Sequence, residues 1–180
     1  MKNSKTRDLV LVALFAALIA VCSWISIPAP VPFTLQTMAV FLAVGLLGGK
    51  LGTLCVLVYI LLGAVGLPVF AGFKGGIGAL LGTTGGYILG FLFSALLMWA
   101  MEKWVGKKNW VLLVSMIRGL LVCYAFGTVW FRTVYLSATG PVTWSAVLGW
   151  CVIPFLVPDA VKIAIAWLLT PRLRKAVHRT

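Results

Sequence analysis

The sequence predicts an all-α membrane protein with six transmembrane helices and both termini on the cytoplasmic side. Composition, the character of the apolar runs and the placement of basic residues predict it. Of 180 residues, 62% are hydrophobic and only 10% charged, where soluble domains carry about 25% charged residues. The mean hydropathy is +1.11. A globule of this length has too little polar surface to cover that much apolar side chain, whereas lipid can solvate it. A β-barrel would need alternation of apolar and polar residues, and runs such as Leu9–Ala20 and Leu112–Leu121 do not alternate.

A helix needs about 20 apolar residues to cross the hydrocarbon core. Residues 1–180 read as one transmembrane domain, with segments at about 8–28, 36–49, 51–66, 84–102, 109–135 and 156–172. The first has a basic flank like a secretion signal, but Pro28, Pro30 and Pro32 follow it in place of a small-residue cleavage site. It is expected to be a retained helix. The other breaks fall at Gly48–Gly49–Lys50, the Gly-rich stretch 66–86, Lys103–Lys108 and Ser137–Pro141.

Basic residues orient these segments. Lys2, Lys5 and Arg7 precede the first, Lys50 follows the second, and Lys103, Lys107 and Lys108 follow the fourth. Arg172, Arg174, Lys175 and Arg179 follow the sixth, whereas the opposite loops hold Lys74, with Arg132 near a segment end. Positive charge marks the cytoplasmic side, so both termini are expected there. The net charge of +12 then faces anionic lipid, and no nucleic-acid partner is expected. Cys22, Cys55, Cys123 and Cys151 lie apart within apolar runs and His178 is remote in the tail, so no metal site is expected.

This orientation gathers the unusual residues on one face. VPFTLQT at 31–37, LPVFAGFKGGIGALLGTTGGY at 67–87 and PFLVPDAVK at 154–162 all fall at outer segment ends. The second is rich in glycine yet apolar, unlike a flexible linker. It reads as a packed cap, because irregular backbone at that depth must be buried in protein or line a cavity. Its glycines, Gly85 and Gly86 among them, would let backbone approach a ligand; a tightly packed connector is the plainer reading.

Asp159 and Lys162 stand three apart, on one helix face, with the last helix expected to start near Pro158. A charge at that depth needs a partner or a cavity. Together they offer an acceptor for N–H groups and a cation for a carbonyl or carboxylate; a structural ion pair is the alternative. Phe33, Tyr87, Trp130 and Trp144 lie on the same outer side, where aromatic belts are also expected. On the first segment Ala13 and Ala17 stand four apart, a spacing that admits a close helix neighbour, within the protein or on a partner. Arg118 is expected to snorkel inward or to pair with Glu102.

These motifs, with GTVW at 127–130, resemble BioY, the family of biotin-specific S components of energy-coupling factor (ECF) transporters. The resemblance spans roughly residues 10–170 in consistent order. It departs at Thr83, where the family usually has Pro, and at Pro158, where Gly is common. It implies a multi-pass protein of the bacterial cell membrane that binds biotin as its substrate and uses no cofactor. By resemblance Asp159, Lys162 and Tyr87 form the biotin site; Gly85, Gly86, Phe33 and Thr34 in the flanking motifs are expected to join it, and Lys74 is the substitute for an arginine that is absent near Tyr87. Ala13 and Ala17 would dock to the ECF transmembrane coupling subunit, and two ATPase subunits would supply the energy. The chain has no phosphate-binding G-x-x-x-x-G-K-[ST] loop and is expected to catalyse nothing. An S component for another vitamin, or an enzyme using the Asp/Lys pair, is the alternative.

Overall fold

The computed structural model describes residues 2–177, with side chains described for 5–174. His178 and Arg179, and the side chains of Lys2 and Lys175, therefore lie outside the described residues.

The protein is mostly helical, as its apolar runs dictate. Helix α1 (Lys2–Trp24) leads into a small antiparallel pair, β1 (Ser26–Ile27) and β2 (Phe33–Thr34), in the register Ser26 to Thr34 and Ile27 to Phe33. The three prolines between the strands cannot continue a helix. They end the first helix at Trp24, before the expected boundary, and add strand to a chain expected to be wholly α. Helices α2 (Gln36–Leu47) and α3 (Gly49–Ala64) meet at Gly48, whose φ of 82° turns the chain between them. Such a φ favours glycine, which has no Cβ to clash. The Gly-rich stretch contains a short helix α4 (Ile77–Leu81), then α5 (Gly85–Trp104) and α6 (Asn109–Ala138) follow.

The sequence did not foresee α7 (Trp144–Cys151), which is capped by the Thr143 side chain accepting from Ala146 N–H. A 3-10 turn over Ile153–Phe155 connects it to α8 (Leu156–Val177). The last helix thus begins two residues before Pro158. Proline is tolerated there because the first-turn N–H groups have no helical acceptor.

Among the described residues, four stretches are long and apolar enough to cross a membrane: Lys5–Trp24, Gly85–Trp104, Asn109–Ala138 and the α7–α8 run Trp144–Arg174. The other two apolar helices, α2 and α3, have 12 and 16 residues. They reach about 18 and 24 Å, short of the hydrocarbon thickness of about 30 Å.

Helix α2 is buried along nearly its whole length and packs against α1, α3, α5 and α8. Small residues permit this density. A Cβ on Gly52 would meet the Val44 backbone, and one on Gly45 would meet the Thr170 side chain. The α5–α6 pair is equally close: Ser94 Oγ donates to Gly119 O at 2.6 Å, and Cys123 packs over Gly90. At the end of the bundle away from the strand pair, Glu102 accepts from Gly49 N–H and pairs with Lys107 Nζ at 3.0 Å. It therefore does not serve Arg118, which is exposed on α6. We expect Gly52→Val to lower stability by about 1–3 kcal/mol, since the helices cannot part without unpacking α2. The detergent melting temperature checks this, and an unchanged value would show that α3 can shift freely.

Candidate functional site

A cavity of about 290 Å³ opens at the end of the bundle beneath the strand pair and the Gly-rich stretch. This is close to the lower end of the range of small-molecule sites, roughly 300–1,000 Å³. Three parts of the chain enclose it. The first is the proline loop between β1 and β2 with the start of α2, which contributes Thr34, Gln36 and Thr37. The second is the turn at Phe70–Lys74 with Thr83 and Thr84. Helices α5, α6 and α8 supply Tyr87, Phe91, Tyr124 and Lys162, and Cys151 and Phe155 come from α7 and the turn after it.

The cap is tied down rather than free. Ser23 Oγ at the end of α1 donates to Val69 O at 2.5 Å, and Trp24 Nε1 donates to Pro68 O at 2.8 Å. The Trp24 ring stacks on Phe73 at 5.2 Å, while Phe70 meets Tyr59 edge-on at 5.5 Å. Phe70 can reach that depth because Gly63 offers no Cβ beneath its ring. A glycine-rich, apolar segment is thus ordered by aromatic packing and side-chain hydrogen bonds to its backbone.

The polar wall of the cavity is a connected network. Lys162 Nζ donates to Asp159 Oδ1 at 2.8 Å, and the Tyr124 hydroxyl donates to Oδ2 at 2.6 Å. Asp159 is 2% exposed and Lys162 8%. A buried ion pair is tolerated only when its remaining donors and acceptors are also met. Tyr124 meets one, and Lys162, which lines the cavity, keeps donor capacity free for a guest because an ammonium has three N–H groups. The carboxylate likewise has lone pairs to spare. Beside it, Tyr87 OH and Thr128 Oγ1 lie 2.9 Å apart, and Gln36 Nε2 donates to Tyr59 OH at 2.9 Å. The arrangement offers acceptor and donor groups side by side against an apolar wall.

The structure brings four of the residues singled out from sequence to the cavity lining, Lys162, Tyr87, Thr34 and Lys74, and holds Asp159 just behind it on Lys162 and Tyr124. Thr34 lines the cavity and accepts from Gln36 N–H at 3.3 Å, whereas Lys74 is exposed at the cavity rim. Phe33 stands outside the lining and stacks on Phe155 at 4.1 Å, so Phe155 presents the apolar surface instead. Gly85 and Gly86 also lie outside the lining, and their close approaches are to protein. A Cβ on Gly85 would strike the Leu80 backbone, and one on Gly86 would strike Trp130. Ala13 and Ala17 are exposed on α1 and take no part in the cavity, while Ala16 and Ala20 are buried against the bundle.

Tyr124 was missed. Its signal was available: a tyrosine in the middle of an apolar helix needs a partner for its hydroxyl, and a carboxylate such as Asp159 can accept more than the one bond from Lys162. Cys151 and Phe155 were missed because α7 and the turn after it were unread.

A bundle of apolar helices around one polar-walled, terminal cavity defines a helical membrane protein built to bind a small molecule. The chain belongs to the BioY family, whose family model matches residues 1–179. It is 43% identical over 170 residues to the biotin transporter BioY of Thermotoga maritima, covering 94% of this chain and 96% of that protein. It is 44% identical over 172 residues to a probable biotin transporter BioY of Pyrococcus horikoshii, with 94% and 98% covered. It also matches the crystal structure at 2.1 Å of the S-component for biotin from an ECF-type ABC transporter. That match has a TM-score of 0.84 and 28% identity, over 97% of this chain and 94% of the other. The relatives are transporters or transporter components, not enzymes.

Proposed function

We propose that this chain is the biotin-capturing membrane subunit of an ECF-type transporter. The observation that carries the reading is the Tyr124–Asp159–Lys162 network at the cavity wall, where Tyr124 and Lys162 line the interior. Biotin fits that chemistry. Its ureido ring has N–H donors for the Asp159 carboxylate and a carbonyl for Lys162. Its thiophane ring is apolar and suits Phe91, Phe155 and Ile88. Its tail ends in a carboxylate, for which Lys74 at the rim is the available cation. An analogue without the ureido group would leave buried polar atoms unpaired, which penalises it.

In this reading six helices cross the bacterial cell membrane, with α2 and α3 making short crossings inside the bundle. The termini lie in the cytoplasm and the cavity faces outward, in keeping with the basic flanks. The exposed Ala13 and Ala17 on α1 meet the transmembrane coupling subunit, where small residues admit a close helix. Two ATPase subunits drive a reorientation that releases biotin inside.

The test is calorimetric titration of the purified protein in detergent with biotin, thiamine and riboflavin. Tight binding of biotin alone is expected. Binding of another vitamin in its place would keep the fold and overturn the substrate. No heat with any of the three, from protein that melts cooperatively, would overturn the transport reading.

A further inference from the structure

Arg132 and Trp144 meet away from the cavity lining. The Arg132 guanidinium lies 4.5 Å from the centre of the Trp144 ring, joining α6 to α7. Its Nε is buried and has no hydrogen-bond partner among the described residues. The protein's own acids do not supply one. Asp159 is held by Tyr124 and Lys162, Glu102 by Gly49 and Lys107, and Asp8 is near the far end of α1. A cation placed on an aromatic face with its remaining donors unspent is a half-built anion site.

Depth identifies the anion. The close contacts of α5 with α6 fix their register: Gly86 against Trp130, Gly90 against Cys123, Ser94 against Gly119. Helix α5 has 20 residues, about 30 Å, which is the thickness of the hydrocarbon core. Trp130 stands at the first turn of α5, so Arg132 lies about 3 Å further out, where the headgroup layer begins. The neighbouring surface is apolar and aromatic, with Trp144 48%, Leu148 41% and Trp150 38% exposed. Acyl chains fit that surface, and a phosphate fits the guanidinium.

We propose that Arg132 and Trp144 form a binding site for the phosphate of an anionic phospholipid in the leaflet on the cavity side. This rests on the membrane placement proposed above, not on the choice of biotin as substrate. A lipid bound there braces α7, which carries Cys151 of the cavity wall.

Native mass spectrometry of the full chain, released from detergent with equal phosphatidylglycerol and phosphatidylcholine, tests the site. Wild type is expected to retain phosphatidylglycerol preferentially. Arg132→Gln should reduce that retention about fivefold, the scale of one basic residue's attraction to anionic lipid. Arg132→Lys should stay within about twofold of wild type, as should Arg118→Gln, which removes an exposed cation deeper on α6. Should Arg132→Gln fail to fold, Trp144→Leu takes its place, with a loss of about twofold or more from the missing stacking. Equal retention of both lipids, no loss on Arg132→Gln or Trp144→Leu, or an equal loss on Arg118→Gln would each overturn the proposal. Displacement of the lipid by millimolar inorganic phosphate would also overturn it, assigning the site to a free anion.

Discussion

Replacing Asp159 by Asn is expected to weaken biotin binding by at least about 100-fold. Two effects add. The amide loses the charge that strengthens a hydrogen bond, a difference of about 1.5–3 kcal/mol for bonds to charged groups. It also turns an NH₂ toward one of its present donors, the Tyr124 hydroxyl or the Lys162 ammonium. Either clash moves Lys162 from its place in the cavity wall. About 1.4 kcal/mol corresponds to each tenfold in affinity, so the sum reaches roughly two orders of magnitude. Stability falls too, because an unpaired buried Lys162 costs about 3–5 kcal/mol where a buried pair is broken. Calorimetry on the folded fraction separates the effects. An affinity within a factor of about three of wild type would mean the carboxylate merely balances Lys162 and never meets biotin.

The second large effect is expected from Gly127→Val. A Cβ at this position would overlap the Tyr87 ring, which packs against the α6 backbone there. Tyr87 is 8% exposed and its hydroxyl is bonded to Thr128, one residue along the same helix. Valine therefore pushes the ring into the cavity and breaks that bond. Overpacking of this kind costs about 1–3 kcal/mol, and the displaced ring occupies space a guest would need. Biotin affinity should fall about tenfold or more, with a lower melting temperature. Pairing the change with Tyr87→Leu should recover part of the stability, a non-additivity expected only of touching residues. Strictly additive losses would show that the two positions act apart.

Glycine at 127 also shows where sequence reading stopped. Gly85 and Gly86 were legible as close-approach positions, but their sequence could not say what approaches. The structure packs Leu80 and Trp130 against them. Asp159 and Lys162 were legible as a pair because three-residue spacing on a helix is a local fact. Tyr124 was not, because its partnership with Asp159 joins residues 35 positions apart. Phe33 was assigned to the site through its motif, yet it stacks behind Phe155. The α7 helix escaped notice because it is only 8 residues long and starts three residues after Pro141.

The sequence by itself determined the solvent, the helical class and the positions of most helices. Those follow from composition, from unbroken apolar runs and from proline and glycine breaks, all properties of residues near one another in the chain. Its motifs also sufficed to indicate the BioY family. The tertiary structure alone decided that α2 is enclosed along nearly its whole length, that Tyr124 completes the polar wall, and that Arg132 rests on Trp144. Each depends on contacts between helices far apart in sequence. In an apolar environment nearly every helix face is hydrophobic, so periodicity loses its power to say which face meets which.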